Sequence, residues 1–240
     1  AAIRPDTFLI TMMYGNNETG TLQPIVEAGE LARSRDILMH VDAVQAFGAL
    51  QIHCHELPVD LLSVSAHKIN GPQGMGALYI RRGVSLHPRA HGGLQEKKRR
   101  AGTENMAGIA GFAAAARLAS EGLTARREHD LRLRQAFLTR LEEHLGQGAF
   151  VVNGNQEYYL PHIVNVSFPG YNTETLLMNL DMEGIAAASG SACTSGSLEV
   201  SYVLEAMKLP EEVLKSAIRF SFGLGNTMEE IEYTAEKIAT

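Results

Sequence analysis

Short apolar runs alternate with helical spacings through the first half of the chain. Residues 7–13 (TFLITMM) read as a strand. In 24–35 (PIVEAGELARSR) apolar residues recur at helical spacing behind a proline suited to a first helical position. The run 36–43 (DILMHVDA) reads as a buried strand that ends at Asp42, and 60–67 (DLLSVSAH) and 76–82 (GALYIRR) complete the set. Such alternation predicts an α/β fold, with a mostly parallel sheet and helices on both faces. Ligands of open sheets of this kind bind beyond the carboxyl ends of the strands. Asn16, Asn17, Asp42 and residues 65–68 are all expected there.

The pattern then lengthens. A helical stretch is predicted over 105–118 and, after a break at 120–123 (SEGL), a second over 124–145. Beyond it the spacing predicts a strand at 162–168, a helix at 172–184, an irregular loop of small residues (IAAASGSACTSG), a strand at 218–223, and a capped amphipathic helix at 227–239. This mixture predicts a smaller α+β domain. The expected division is therefore 1–118, the later part of a large domain, and 119–240, a small one. No repeat or low-complexity segment interrupts either.

Composition narrows the function classes. Of 240 residues, 45% are hydrophobic and 20% charged, enough to bury a core. A net charge of −6 leaves no electrostatic footprint for nucleic acid or an anionic membrane, and the basic run 97–100 (KKRR) reads as a solvated loop. No apolar run reaches the ~20 residues that span a bilayer. The two cysteines, Cys54 and Cys193, build no disulfide framework, so a cytoplasmic setting is expected. The opening residues lack both an initiator Met and a signal-peptide pattern, and the chain is expected to start inside a larger protein.

The stretch 63–82 (SVSAHKINGPQGMGALYIRR) carries the most specific chemistry: a lysine directly after Ser-x-His, ahead of a Gly/Pro-rich turn. A lysine held near a carbonyl can form a Schiff base. Pyridoxal phosphate (PLP) chemistry asks further for a carboxylate at the ring nitrogen, donors for the phosphate, and a donor at the phenolic oxygen. Asp42 suits the first, Ser65 and His67 the second, and Gln45 and Asn17 the third.

The segments MMYGNNETG, HVDAVQAFG, SVSAHKINGPQGMGALYIR, RRAGTEN, ASGSACTSGSLEVSYVL and IRFSFG, in that order over nearly the whole chain, resemble the cysteine desulfurases of the NifS/IscS type. These belong to the class V branch of fold-type I PLP enzymes. The resemblance implies the PLP-dependent transferase fold, and that Lys68 carries the cofactor as an imine. It implies Asp42 at the pyridine nitrogen, Gln45 and Asn17 at the phenolic oxygen, and Ser65 and His67 at the phosphate. Thr103 would reach the phosphate of a partner subunit's cofactor in a homodimer with shared sites. Cys193, in a loop of small polar residues, would be the persulfide-forming nucleophile. Arg219, which enters an apolar strand, would bind the carboxylate of L-cysteine, with Asn17 also at the substrate. His91 and Arg100 are weaker candidates, and no metal site is expected. Cys54 lies between two histidines, but neighbours at i±1 do not face one site on regular structure, so it reads as structural or as a surface residue.

The implied reaction takes L-cysteine to L-alanine and leaves a persulfide on Cys193. Its sulfur would pass to an iron–sulfur scaffold or a tRNA-thiolation enzyme. The N-terminal third of such an enzyme, with a Gly/Thr phosphate loop and a histidine that stacks on the ring, has no counterpart here. The alternatives are a selenocysteine lyase, a class V aminotransferase, and a catalytically incomplete fragment that acts as a binding module.

Overall fold

In the computed structural model, which describes residues 2–190 and 200–240, four strands build the first sheet. They are β1 (Leu9–Met13), β2 (Leu38–Asp42), β3 (Leu61–Ser65) and β4 (Gly76–Ile80), side by side in that order. The first three run parallel and β4 returns antiparallel to β3. The loop of residues 66–75 between β3 and β4 folds back and permits that reversal, whereas β1 and β2 are joined through helix α1 (Ile25–Arg33), as a parallel crossover requires. Pro24 stands at the N-cap of α1, one position before its expected place.

Side chains alternate across each strand, and registered partners share a face. Met39, Val41 and Leu62 therefore point to one side, where they pack with Ile25 and Ala32 of α1. Thr11, His40, Asp42, Ser63 and Ser65 fall on the other. The run 36–43, read as buried, is thus buried on one face only: Leu38 and His40 are half-buried and Asp42 is exposed. At the far end of the sheet, buried Asp60 accepts a hydrogen bond from the Met39 amide (2.8 Å) and pairs with Arg81. That carboxylate ties together the strands whose opposite ends carry the candidate chemistry. Gly29 of α1 lies against Pro58, where a Cβ would collide with the proline carbonyl.

Helix α2 (Gln95–Lys98) is a single distorted turn, and α3 (Met106–Glu121) is followed at once by α4 (Leu123–Leu145), so the expected four-residue break contracts to Gly122. The chain divides into two units, 1–14 with 23–123 and 15–22 with 124–240. The boundary thus lies after Leu123, where the sequence reading set it after residue 118. Residues 15–22 belong with the second unit, because Leu22 donates to the Tyr158 carbonyl (2.9 Å) and Leu160 donates to that of Gly20 (2.8 Å). Backbone pairing of this length-independent kind leaves no hydrophobic period to read.

The second unit holds an antiparallel sheet in the order β5 (Val151–Asn153), β6 (Ile163–Ser167), β7 (Ala217–Ser221). Every residue of β6 is buried. Leu133, Phe137 and Leu141 of α4 pack on Val164, Val166, Ile218 and Phe220. Leu180 of α5 (Thr173–Met182) and Ile231 and Ala235 of α8 (Met228–Ala239) close the same core. Two short helices, α6 (Tyr202–Ala206) and α7 (Glu211–Leu214), lie between. Thr227 and Glu230 form the expected capping box of α8. Among the described residues no helix is long and apolar enough to cross a membrane.

Candidate active site

Asp42 is the last residue of β2, in register between Met13 and Ser63. Its Oδ1 accepts the Val44 amide at 2.9 Å, an Asx turn that fixes the side chain at the strand end. Its second oxygen has no partner among the described residues. Behind it on the same face, His40 is held at both ring nitrogens, Nδ1 with the Thr11 hydroxyl at 2.6 Å and Nε2 with the Ser63 hydroxyl at 2.8 Å. This polar row across three strands escaped the sequence reading. The available signal was the two-residue spacing of His40 and Asp42, which puts both on one face of a strand. Gln45 is half-buried in the turn that follows Asp42.

The chain leaves β3 at Ser65 and enters a 3-10 turn, Ala66–Ile69. Ala66 and Ile69 are buried, while His67 and Lys68 are exposed. Ile69 packs with Ala115 and Ala119 of α3, with Phe112 and Phe47 edge-to-face at 6.2 Å beside them. The loop folds back tightly: the Gly71 amide donates to the Ala66 carbonyl (2.9 Å), and the Ala66 amide to that of Met75 (3.0 Å). A Cβ at position 71 would stand 2.9 Å from the Ala66 carbonyl oxygen and 3.0 Å from Ala115 Cβ, so this close approach requires glycine. The apolar underside anchors the turn and holds the amine of Lys68 outward. Ser65 Oγ and His67 Nδ1 are hydrogen-bonded at 2.7 Å. Lys68 has no carboxylate partner among the described residues.

A phosphorylated pyridine aldehyde needs a carboxylate, a cluster of hydroxyl and imidazole groups, and an amine not committed to an ion pair. The first unit presents all three at the carboxyl ends of two adjacent parallel strands, and this donor set fits PLP. Thr103 is exposed in the loop before α3. Arg100 donates to the Ala101 carbonyl at 2.9 Å, and His91 is exposed.

In the second unit, Asn16 organises a tight turn. Its Oδ1 accepts from the amides of Glu18 and Thr19, both at 2.9 Å, and its carbonyl accepts the Gly20 amide at 3.0 Å. Arg219 of β7 is half-buried and donates from Nη1 to the Asn17 carbonyl at 3.0 Å. The turn thus brings together the two residues that the sequence reading gave to the substrate. Cys193 lies outside the described residues. Cys54 packs against the first core, and burial pushes its thiol up from its ordinary range, the behaviour of an inert structural cysteine. Its neighbour His55 contacts Tyr79 edge-on at 5.9 Å, and no group of three metal-ligating side chains occurs among the described residues.

The family profile described as aminotransferase class-V matches residues 1–234. A Bacillus subtilis (strain 168) protein provisionally named cysteine desulfurase IscS 1 is 51% identical over 99% of this chain and 62% of its own length. Among solved structures, a NifS-like protein superposes with a TM-score of 0.89 at 37% identity, over 99% of this chain and 62% of that one. SspA in complex with cysteine superposes with a TM-score of 0.73 at 34% identity, over 92% and 60%. The chain therefore spans about three fifths of the length of these proteins. The α/β architecture with a smaller α+β part is that of the NifS-like structures.

Proposed function

Because the chain belongs to the aminotransferase class-V family, a family of PLP-dependent enzymes, we propose that it serves as a cysteine desulfurase: it takes L-cysteine to L-alanine and retains the sulfur as a persulfide on Cys193. The observation that carries this reading is the exposed Lys68, without a carboxylate partner among the described residues. It stands on a turn anchored by buried Ala66 and Ile69, directly after the Ser65–His67 pair and one strand from Asp42. The desulfurase name of the Bacillus relative and the cysteine bound to SspA support the choice of substrate.

In this reading Lys68 Nζ is the attachment point for the PLP aldehyde. Ser65 and His67 donate to the phosphate, Asp42 keeps a proton on the ring nitrogen, and Gln45 and Asn17 donate to the phenolic oxygen. Bound PLP supplies an electron sink that acidifies the substrate Cα. Lys68 removes the proton at that carbon and returns one. Arg219 grips the substrate carboxylate, a use that offsets the cost of placing a guanidinium in an apolar strand. The Cys193 thiolate attacks the substrate sulfur: the S–S bond forms as the C–S bond breaks. The electron pair of the broken bond stays with carbon, which is protonated to alanine. Sulfur is oxidised as carbon is reduced, so no outside oxidant enters, and the proton lost by the Cys193 thiol balances the one gained. Thr103 serves the partner's cofactor in a homodimer, and an iron–sulfur scaffold or a tRNA-thiolation enzyme takes the sulfur. A reducing, cytoplasmic compartment suits a reaction that runs on a free thiol.

Two variants of the PLP-loaded protein test the reading. Cys193→Ser is expected to keep the cofactor's absorbance and lose alanine formation from L-cysteine. Lys68→Ala is expected to lose the covalent pyridoxyl adduct that borohydride traps. Full activity without the thiol, or an adduct that persists without the amine, refutes it.

A further inference from the structure

Glu18 has no role in the reaction just described, yet among the described residues it is the most buried acidic residue of the second unit, at 1% exposure. A buried carboxylate is costly unless it is hydrogen-bonded, so its partners identify its purpose. Its backbone is held twice: the amide donates to Asn16 Oδ1, and the carbonyl accepts from Asn165 Nδ2 of β6 at 3.4 Å. Asn165 is wholly buried, which fixes Glu18 to the rigid sheet. The side chain is held by Ser201, whose hydroxyl donates to Oε2 at 2.5 Å. The same hydroxyl accepts the amides of Val203 (3.2 Å) and Leu204 (3.3 Å), and so caps α6.

Gly190 also lies near this carboxylate. A Cβ built there would lie 3.3 Å from Glu18 Oε2 and 3.7 Å from Ser201 Cβ, at a φ of +62°. Gly190 and Ser201 therefore lie near one carboxylate oxygen, although ten residues separate them in the sequence. Those ten residues include Cys193. The stem on the Gly190 side is fixed further back, where Ala188 and Arg219 exchange two backbone hydrogen bonds, at 3.1 and 2.6 Å. Asn17, the residue before Glu18, carries the carbonyl that receives the Arg219 guanidinium. One five-residue turn thus holds the candidate substrate arginine through its backbone and, through a side chain, the Ser201 stem of the cysteine-bearing segment, beside Gly190.

We propose that Glu18 is a positioning residue: its buried carboxylate anchors the Ser201 stem beside Gly190, and so sets the origin from which Cys193 reaches the substrate sulfur. The inference rests on the reading of Cys193 as the sulfur acceptor. It concerns the thiol step alone and leaves the cofactor's attachment untouched.

The test uses the PLP-loaded protein with L-cysteine, and follows sulfur on Cys193 by intact mass and the cofactor by its absorbance. Glu18→Ala removes the acceptor. Ser201→Asp keeps a good helix cap but sets a second carboxylate against Glu18. Ser201→Thr keeps the hydroxyl. In Glu18→Ala and Ser201→Asp, sulfur is expected to accumulate on Cys193 about tenfold or more slowly, the scale of one lost charge-assisted hydrogen bond. The cofactor's absorbance and its response to L-cysteine should hold within about twofold, and Ser201→Thr should behave as the parent. Sulfur transfer at the parent rate in the first two variants overturns the proposal, as does equal slowing in Ser201→Thr. If the parent itself deposits no sulfur on Cys193, the functional reading fails. Glu18 is then judged by hydrogen exchange at the Val203 and Leu204 amides and by iodoacetamide labelling of Cys193. Both should quicken in Glu18→Ala, and unchanged rates overturn the proposal on that ground too.

Discussion

Asp130 on α4 offers a direct test of the electrostatics. It is 3% exposed, and its Oδ1 meets no hydrogen-bond donor among the described residues. Burial pushes its carboxyl from 3.8 up to about 6, against the pull of His129 and Arg126, which favour the charged form. Between those two values the folded chain keeps a proton that the unfolded chain has released. Stability must therefore fall as pH rises through that window, and level off above it. One pKa unit corresponds to about 1.4 kcal/mol, so the ceiling is about 3 kcal/mol; relaxation and water penetration around the buried carboxyl reduce the expected loss to about 1–2 kcal/mol. Asp130→Asn removes the titration. Urea unfolding of both proteins between pH 4 and pH 8 measures the effect as a difference, which cancels every group they share. The variant should gain about 1–2 kcal/mol relative to the parent between pH 4 and pH 7, whatever constant offset the buried amide adds. A difference that stays flat with pH, or one that shrinks as pH rises, refutes the reasoning.

Two further outcomes are expected. Gly29→Ala should destabilise the protein by about 1–3 kcal/mol in thermal or urea unfolding, although glycine-to-alanine in a helix interior ordinarily stabilises by about 1 kcal/mol, because the new methyl meets the Pro58 carbonyl. A gain in stability would show that α1 can move away at no cost. Ser65→Ala should weaken PLP binding about tenfold in an absorbance titration, the loss of one donor to a charged group, with Lys68 still trapped by borohydride at saturating PLP. Unchanged affinity would remove Ser65 from the phosphate.

Much of the fold was legible because its elements are local. β1, β2, β3 and α1 follow from runs whose periodicity needs no partner to be seen, and the capping box at Thr227 and Glu230 is a pattern within four residues. The sheet's second-face polarity was less visible. His40 and Asp42 lie within a run of apolar residues, and the run looks continuous until strand pairing assigns each residue a side. β5 is three residues long, too short for any period to register, and it exists because β6 offers it an edge.

The sequence by itself determined the chemistry on offer: a lysine after Ser-x-His, an aspartate closing an apolar run, an arginine entering a strand, and a cysteine among small residues. These are properties of residue type and of near neighbours along the chain, and folding does not alter them. The tertiary structure alone decided how Glu18 is used. Its partner Ser201, with Gly190 nearby, is brought to it from the far half of the chain. Only packing can select one hydroxyl for a buried carboxylate, because the desolvation that makes the pairing obligatory does not exist until the core has closed.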